Sequence, residues 1–212
     1  MDTLITGTAT GIGCATAAFF LERGHRVWGI DIAEPTLDHE NYQHFICDVS
    51  DAASLPDGLE PEVVISNAGV QGTGDDIAVN LHGTINVVEK YAFAGDATGG
   101  RRELGLAPAP RIRSVVCVGS AYTKNVAGRL APQAICNSVD PGGVLTELNL
   151  PVMEDERLWG RIMDLTPLRR WAMPEEIAEW IYFVAVTNRF MTGQNLLIDG
   201  GEAGRTEFVW PD

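Results

Sequence analysis

A glycine-rich segment at residues 6–13, T-G-T-A-T-G-I-G, follows a short apolar run near the start of the chain. Glycine lets the backbone pass close to a phosphate group, and the first turn of a helix favours negative charge because its N–H groups are unpaired. A strand, this turn and a helix together predict a site for the pyrophosphate of a dinucleotide. The residues expected to contact it are Gly7, Thr10, Gly11, Ile12 and Gly13.

Asp31 lies 18 residues after Gly13, at the end of the next apolar run. In a parallel βαβ unit this carboxylate comes to lie beside the glycine turn, where it can accept hydrogen bonds from a ribose diol. It would repel a 2′-phosphate, and residues 6–13 hold no Lys or Arg to offset that repulsion. The pattern therefore favours NAD over NADP, with Ile32 beside Asp31 in the predicted binding set.

Apolar runs that alternate with helical stretches must position these groups. Runs of Val, Ile and Leu without polar alternation are typical of parallel strands buried on both faces. Strands are predicted over residues 3–6, 26–31, 44–47, 63–66, 114–118, 135–139 and 195–198. The alternation predicts one doubly wound α/β domain.

Two helices and one loop are predicted from local signals. The first helix covers residues 12–23 and is followed by Gly24 as a C-terminal cap. The second covers residues 174–186, with an apolar stripe at helical spacing. That stripe consists of Ile177, Trp180, Ile181 and Val184. Residues 95–113, rich in Gly, Pro and Arg, are predicted to form a surface loop.

Composition limits the classes of partner. The chain has 212 residues, with 15 Lys and Arg against 29 Asp and Glu, and the net charge of −14 argues against nucleic acid or a membrane surface as a main partner. No apolar run approaches the ~18 residues of a membrane-spanning helix, and no secretory signal precedes the first strand. The four cysteines are far apart and the four histidines show no metal spacing. A cytoplasmic protein with reduced, buried thiols and no metal site is therefore expected.

Further motifs occur in a fixed order along residues 3–201. They are Asp48-Val49, Asn67-Ala68-Gly69, Asn80-Leu81-His82-Gly83, the strand that ends in Gly119-Ser120, Pro141-Gly142 with Thr146, and Asp199-Gly200-Gly201. Together with T-G-x-x-x-G-I-G, this series resembles the short-chain dehydrogenase/reductase family. Within that family, the glycine turn followed by G-I-D-I is similar to bacterial 3α-hydroxysteroid dehydrogenase/carbonyl reductases.

The resemblance implies a single Rossmann-type domain over residues 1–212, with a seven-stranded parallel sheet and helices on both faces. It implies hydride transfer between a nicotinamide, here NAD(H), and a small-molecule alcohol or carbonyl, by a homodimer or homotetramer. Ser120 would bind the substrate oxygen, and Asn80 would order a water. The rest of the implied cofactor site is Asp48, Val49, Asn67, Ala68, Gly69, Pro141, Gly142, Val144 and Thr146.

The chain departs from the family at its acid/base pair. The family uses a tyrosine as general acid/base and a lysine four residues later that lowers the pKa of that tyrosine. After Ser120 this chain reads Ala121-Tyr122-Thr123-Lys124. Residues two apart on a helix point away from each other, so Tyr122 and Lys124 cannot converge on one site. Tyr122 is instead predicted to be a packing residue and Lys124 a solvated one.

About twenty residues relative to the family are therefore predicted to be missing between residues 121 and 122. Either this sequence lacks a segment that the natural enzyme carries, or the deletion is real and the protein is an inactive nucleotide-binding regulator or scaffold of the same fold. The first explanation is favoured, because Asn80, Ser120 and the cofactor pattern remain. An S-adenosylmethionine-dependent methyltransferase also uses a glycine turn and an acid, but it gives the N-A-G and P-G motifs no role.

The segment between the P-G loop and the last predicted helix is rich in large apolar residues. In the family, this segment caps the substrate, although ordinary core packing would use the same residue types. A cap of this composition predicts an apolar pocket and a hydrophobic alcohol or ketone as substrate. Its residues are Leu148, Leu150, Met153, Trp159, Met163 and Trp171.

Overall fold

Seven parallel strands form one sheet in the computed structural model, which describes residues 1–93, 112–119 and 122–204. The strands are β1 (Asp2–Thr6), β2 (Arg26–Asp31), β3 (Tyr42–Ile46), β4 (Val63–Ser66), β5 (Ser114–Val118), β6 (Ile135–Pro141) and β7 (Asn195–Ile198). They lie in the order β3-β2-β1-β4-β5-β6-β7, and every neighbouring pair is parallel. The predicted seven-stranded, doubly wound sheet is confirmed.

The described residues form six α-helices. They are α1 (Gly11–Leu21), α2 (Thr84–Ala92), α3 (Thr123–Leu130), α4 (Leu150–Met153), α5 (Glu156–Leu165) and α6 (Pro174–Tyr182). Of these, α1, α2, α3 and α6 cover the two faces of this sheet. Wider π-helical turns precede α2 at Ile77–Gly83 and follow α6 at Phe183–Thr187. Within the described ranges, no helix combines the length and apolar character needed to cross a bilayer.

Two apolar cores form, one on each face of the sheet. Helices α1 and α6 enclose one core around Phe20, Ile177 and Ile181, and helices α2 and α3 enclose the other around Val87 and Val126. The apolar run of β4 is buried along its whole length. Continuous rather than alternating apolar residues are what a strand covered on both faces requires.

The bounds of β3 and α1 differ from those that the sequence predicts. Strand β3 covers Tyr42–Ile46 rather than 44–47, because it pairs with β2 from Val27 to Asp31. Helix α1 ends at Leu21, since the Gly24 amide donates to the Leu21 carbonyl with Gly24 at φ +76°. The chain therefore leaves the helix before the glycine, as in a left-handed C-terminal cap. Most of the predicted loop, residues 95–111, lies outside the described residues.

One residue of the α6 stripe is exposed, and the expectation that all four thiols are buried was wrong for two of them. Trp180 is 43% exposed, because the buried arc of α6 is centred between Ile177 and Ala178 and Trp180 lies at its edge. Of the four free cysteines, Cys117 and Cys136 are buried, whereas Cys14 and Cys47 are half-buried.

Glu176 caps helix α6 and makes its stability depend on pH. Its carboxylate accepts from the Met173 amide at 2.9 Å and from Nη1 and Nη2 of Arg170. The Arg170 guanidinium and the Met173 amide together lower the pKa of Glu176 from 4.5 to about 2. A carboxyl whose pKa is lower in the folded state stabilises the fold above pH 4.5, and this contribution is lost as the pH falls towards 2.

Glu176→Gln is accordingly expected to lower Tm at pH 7 and to lose its effect near pH 2. The cap and ion pair are exposed, so the loss at pH 7 is at most about 1 kcal/mol. Thermal unfolding followed by circular dichroism at pH 7, 4 and 2.5 measures it. Glu175→Gln removes the same charge from the first turn of α6 and is the control. Equal effects of the two variants at pH 7 would contradict a specific cap.

Candidate active site

The glycine turn is built by close packing between β1 and α1. The Gly7 amide donates to the Ile30 carbonyl at 2.7 Å, and φ is +76° at Gly7 and +55° at Gly11. A Cβ on Gly13 would lie 1.9 Å from the Gly7 carbonyl oxygen. Thr10 is exposed just before the first turn of α1. The backbone thus forms the bare, closely packed helix N-terminus that phosphate binding uses.

Asp31 lies against this turn, as the sequence predicts. Its Oδ2 accepts from the Ala9 amide at 2.9 Å, and its Oδ1 accepts from the Ala33 amide at 3.0 Å. Each carboxylate oxygen can accept a second hydrogen bond, so both remain able to bind a diol. Ile32, the next residue, is 69% exposed and adds an apolar surface beside the carboxylate.

The N-A-G motif is joined to the end of β1. The Asn67 and Ala68 amides both donate to Thr6 Oγ1, at 3.0 and 2.9 Å. The Asn67 side-chain amide donates to the Thr6 carbonyl at 3.0 Å, and it lies 2.8 Å from where a Cβ on Gly7 would be. The glycine turn and the N-A-G motif therefore form one rigid unit at the carboxyl ends of β1 and β4.

Asn80 lies in the π-helical segment Ile77–Gly83, a backbone form often found at functional sites. Its Nδ2 donates to the Val70 carbonyl and its Oδ1 accepts from the Val70 amide, both at 2.8 Å. A Cβ on Gly69 would lie 3.2 Å from Asn80 Oδ1. Asn80 thus fixes the segment that follows the N-A-G motif against the helix.

The Asp48-Val49 pair follows strand β3, and Val49 packs against the start of helix α2. Asp48 is exposed, and its carboxylate accepts from the Ser50 amide at 2.8 Å. Val49 is buried, and a Cβ on Gly83 would lie 2.6 Å from its Cγ2. The bare backbone of Gly83 therefore lets Val49 pack at the start of α2.

The P-G loop begins at the carboxyl end of β6 and lies close to the glycine turn. The Gly142 amide donates to the Ile198 carbonyl at 2.9 Å, and a Cβ on Gly11 would lie 3.2 Å from Thr146 Cγ2. A cavity of about 410 Å³ opens between the two segments. The predicted cofactor residues that line it are Ile12, Pro141, Gly142, Val144 and Thr146.

Apolar side chains from the segment after the P-G loop close one side of this cavity. Leu148 and Trp171, both predicted to cap a substrate, line it together with Val152 and Ile162. Trp159 packs edge-to-face on Trp171, with ring centroids 4.9 Å apart. The arrangement offers an apolar wall beside the predicted cofactor residues.

A second cavity, of about 670 Å³, lies at the opposite ends of the strands, around Trp28. Its cations are already paired, since Arg26 bonds to Asp2 and Arg113 lies 3.1 Å from Glu62. Ligands of open α/β sheets bind at the carboxyl ends of the strands, so the 410 Å³ cavity is the better candidate despite its smaller size.

Comparisons with known proteins agree with this geometry. A family model described as enoyl-(acyl carrier protein) reductase matches residues 119–202. Momilactone A synthase of Oryza sativa subsp. japonica is 30% identical over 245 residues, covering 93% of this chain and 88% of that protein. The chain belongs to the short-chain dehydrogenase/reductase family.

Other members of this family resemble the whole chain. D-threitol dehydrogenase of Mycolicibacterium smegmatis is 27% identical over 237 residues, covering 93% of this chain and 91% of that protein. The ligand-free structure of Thermoplasma acidophilum aldohexose dehydrogenase superposes with a TM-score of 0.79 at 25% identity, covering 100% of this chain and 97% of its own. The two sequence alignments are longer than the 212 residues of this chain, so these relatives carry internal residues that it lacks.

The segment that follows β5 holds the serine that the resemblance implies to be catalytic. Ser120 and Ala121 lie outside the described residues. The preceding Gly119 has φ +69°, and its amide donates to the Val139 carbonyl at 3.0 Å, so the chain turns sharply where β5 ends. None of the four tyrosines in the sequence is followed by a lysine four residues later.

Tyr122 packs where the sequence predicts rather than facing the cofactor residues. Its hydroxyl donates to Glu89 Oε1 at 2.5 Å, and Arg129 donates to the same hydroxyl and to Glu89. Burial and the Glu89 carboxylate raise the pKa of Tyr122. A general acid/base needs the opposite shift, towards neutral pH. Lys124, two residues on, is exposed on α3.

Two polar contacts of the site were missed by sequence analysis. Thr6 accepts from two amides of the N-A-G motif, and its place directly before Gly7 was the available signal. Tyr42 lies 2.9 Å from Thr8 through its hydroxyl, and burial raises its pKa so that it stays protonated. No local sequence pattern predicts that contact, because 34 residues separate the partners.

Proposed function

We propose that this protein is an NAD-dependent oxidoreductase that transfers a hydride between NAD(H) and a small alcohol or carbonyl compound. The observation that carries the proposal is Asp31, whose two oxygens are held against the glycine turn by the Ala9 and Ala33 amides. When bound, the nicotinamide supplies or accepts the hydride. The chain's own residues bind and orient it.

The charges around Asp31 support NAD rather than NADP. A 2′-phosphate would lie against this carboxylate, and residues 32–40 after it contain Glu34, Asp38 and Glu40 but no Lys or Arg. Like charges at hydrogen-bonding distance repel strongly, whereas a diol donates to the same oxygens. NADH is therefore the cofactor form that this site accepts.

NADH is expected to bind at least ten-fold more tightly than NADPH, as measured by fluorescence titration. Asp31→Ala should weaken NADH binding about ten- to hundred-fold, the value of a charge-assisted hydrogen bond pair, and narrow the gap to NADPH. Asp38→Ala removes an exposed charge from the same loop and is the control. Equal affinities in the wild type, or a gap unchanged in Asp31→Ala, would overturn the assignment.

The substrate is expected to be hydrophobic, since Leu148, Val152, Ile162 and Trp171 line the cavity beside the predicted cofactor residues. The resemblance implies that Ser120 binds the reacting oxygen, that a tyrosine moves the proton and that a lysine lowers the pKa of this tyrosine. We infer that a segment of about twenty residues between 121 and 122 supplies that pair in the natural enzyme, which acts in the cytoplasm as a homodimer or homotetramer.

The intact mass of the natural protein separates this inference from its alternative. A mass about 2 kDa or more above the 22.9 kDa of this sequence supports the enzyme. A mass of 22.9 kDa would favour the inactive nucleotide-binding protein, since the sequence holds no Y-x-x-x-K. The NADH titration applies to both, so cofactor binding and catalysis are tested separately.

A further inference from the structure

A chain of polar side chains runs beneath the predicted ribose site, from the glycine turn to the loop after β2. The Tyr42 hydroxyl lies 2.9 Å from Thr8 Oγ1 and 2.7 Å from His44 Nδ1. His44 Nε2 lies 2.9 Å from the Ala33 carbonyl oxygen. Thr8 is fully buried, and Tyr42 and His44 are half-buried on the edge strand β3.

The partners determine where one proton of His44 and the proton of the Tyr42 hydroxyl lie. A carbonyl oxygen can only accept, so His44 Nε2 carries a proton and donates it to Ala33. The single proton of the Tyr42 hydroxyl is donated to Thr8 Oγ1, and the contact with His44 Nδ1 joins the imidazole to the same hydroxyl oxygen. Thr8 completes the chain on the other side of the Tyr42 oxygen.

The two ends of this chain adjoin the two backbone donors of Asp31. Thr8 precedes Ala9, whose amide binds Oδ2 of Asp31, and Ala33 itself binds Oδ1. Through Thr8, Tyr42 and His44 the glycine turn is therefore connected to the loop after β2. If the glycine turn and the loop after β2 moved apart, either the Ala9 amide or the Ala33 amide would move away from the Asp31 carboxylate.

The backbone of β2 leaves room for this connection. A Cβ on Gly29 would lie 2.2 Å from the Tyr42 hydroxyl oxygen and 2.6 Å from Thr8 Oγ1. The contact between Tyr42 and Thr8 thus occupies the space that any other residue at position 29 would fill. The glycine two residues before Asp31 has a physical role that phosphate binding does not explain.

We propose that Tyr42 and His44 are positioning residues that fix Asp31 for the cofactor's ribose diol. This inference rests on the proposed NAD site and deepens it. A carboxylate held at both oxygens is already oriented before the diol arrives, so less orientational freedom is lost on binding. Without the Tyr42 hydroxyl, Thr8 and His44 lose the partner that they share. The glycine turn and the loop after β2 are then no longer connected through these side chains.

Tyr42→Phe is expected to weaken NADH binding about five-fold, the value of one ordinary hydrogen bond, and to leave NADPH binding within two-fold. His44→Ala should act in the same direction and serves as the second variant if Tyr42→Phe folds poorly. The ratio of the two affinities is the readout, because a general loss of stability would lower both.

Tyr91→Phe is the matched control. It removes the hydroxyl of a buried tyrosine in the core around Val87, where that hydroxyl donates to the Pro56 carbonyl at 2.8 Å. Its Tm should fall while the NADH to NADPH ratio stays unchanged. In the Asp31→Ala background, Tyr42→Phe should cause no further loss of NADH affinity, because residues that act through one another are not additive.

Failure of the positioning role can be distinguished from failure of the proposed NAD site. If Asp31→Ala changes the ratio while Tyr42→Phe and His44→Ala do not, the positioning role is wrong and the proposed cofactor site stands. If Asp31→Ala itself leaves the ratio unchanged, the proposed NAD site is wrong and the positioning role falls with it. A five-fold loss for Tyr42→Phe that persists in the Asp31→Ala background would also overturn action through Asp31.

Discussion

Gly13→Ala is expected to destabilise the chain by about 3 kcal/mol or more, although alanine is the better helix former. The added Cβ would lie 1.9 Å from the Gly7 carbonyl oxygen and 2.6 Å from the Asn67 side-chain nitrogen. Both neighbours are held in place, Gly7 by Ile30 and Asn67 by Thr6, so neither can move away without breaking a hydrogen bond. Overpacking of a fixed backbone is among the costliest single substitutions.

Urea unfolding measures this loss, and Gly128→Ala is its matched control. Gly128 lies inside α3, and a Cβ there would meet no atom within 4 Å. That substitution should be neutral or stabilising by up to about 1 kcal/mol, the helix propensity difference. NADH affinity should fall in Gly13→Ala wherever it still folds and stay unchanged in Gly128→Ala. A Gly13→Ala protein as stable as the wild type would contradict the close approach of α1 to the turn.

Ser120→Ala is expected to lower kcat of the natural enzyme about a hundred-fold, whereas Tyr122→Phe should change it by less than about five-fold. A donor to the reacting oxygen stabilises the charge that develops in the transition state, and its loss has effects of this size. Tyr122 instead bonds to Glu89 and Arg129 beside α2 and α3. Steady-state kinetics with the first alcohol or ketone that the wild type turns over would measure both.

Glu89→Gln is a second variant for this test, since it weakens the hydrogen bond between Tyr122 and Glu89 that Tyr122→Phe removes. Both should lower Tm slightly and leave the pH profile of kcat in place, because Glu89 and Arg129 serve packing. If Tyr122→Phe abolished turnover while NADH still bound, Tyr122 would be the acid/base and the alignment that leaves a gap before it would be wrong.

Much of the geometry of the candidate site could be predicted because its determinants are local. The glycine turn is a run of adjacent residues, and Asp31 follows at the spacing of one βαβ unit. Regular strand–helix alternation then brings Asn67 and Pro141 to the same edge of the sheet, since parallel strands end on one side. The structure places Thr146 beside Gly11, as the order of motifs implies.

The contacts that could not be predicted join residues far apart in the chain. Tyr42 and Thr8 meet because edge strand β3 pairs with β2 and Gly29 leaves space between them. Trp180 fits the apolar spacing of α6 but lies at the margin of the face that α1 covers. Helical periodicity identifies an apolar stripe, but only the neighbouring helix decides which arc of it is buried.

The sequence by itself determined the family and the sheet, and it predicted the residues that we propose bind a dinucleotide, because each depends on residue type at short, fixed spacing. It also predicted that Tyr122 and Lys124 do not act as a pair, since a helix directs them apart. Tertiary structure alone decided how Asp31 is held and what Tyr122 bonds to. Those properties depend on which donors distant segments bring within 3 Å, and strand pairing and packing, rather than local spacing, set those distances.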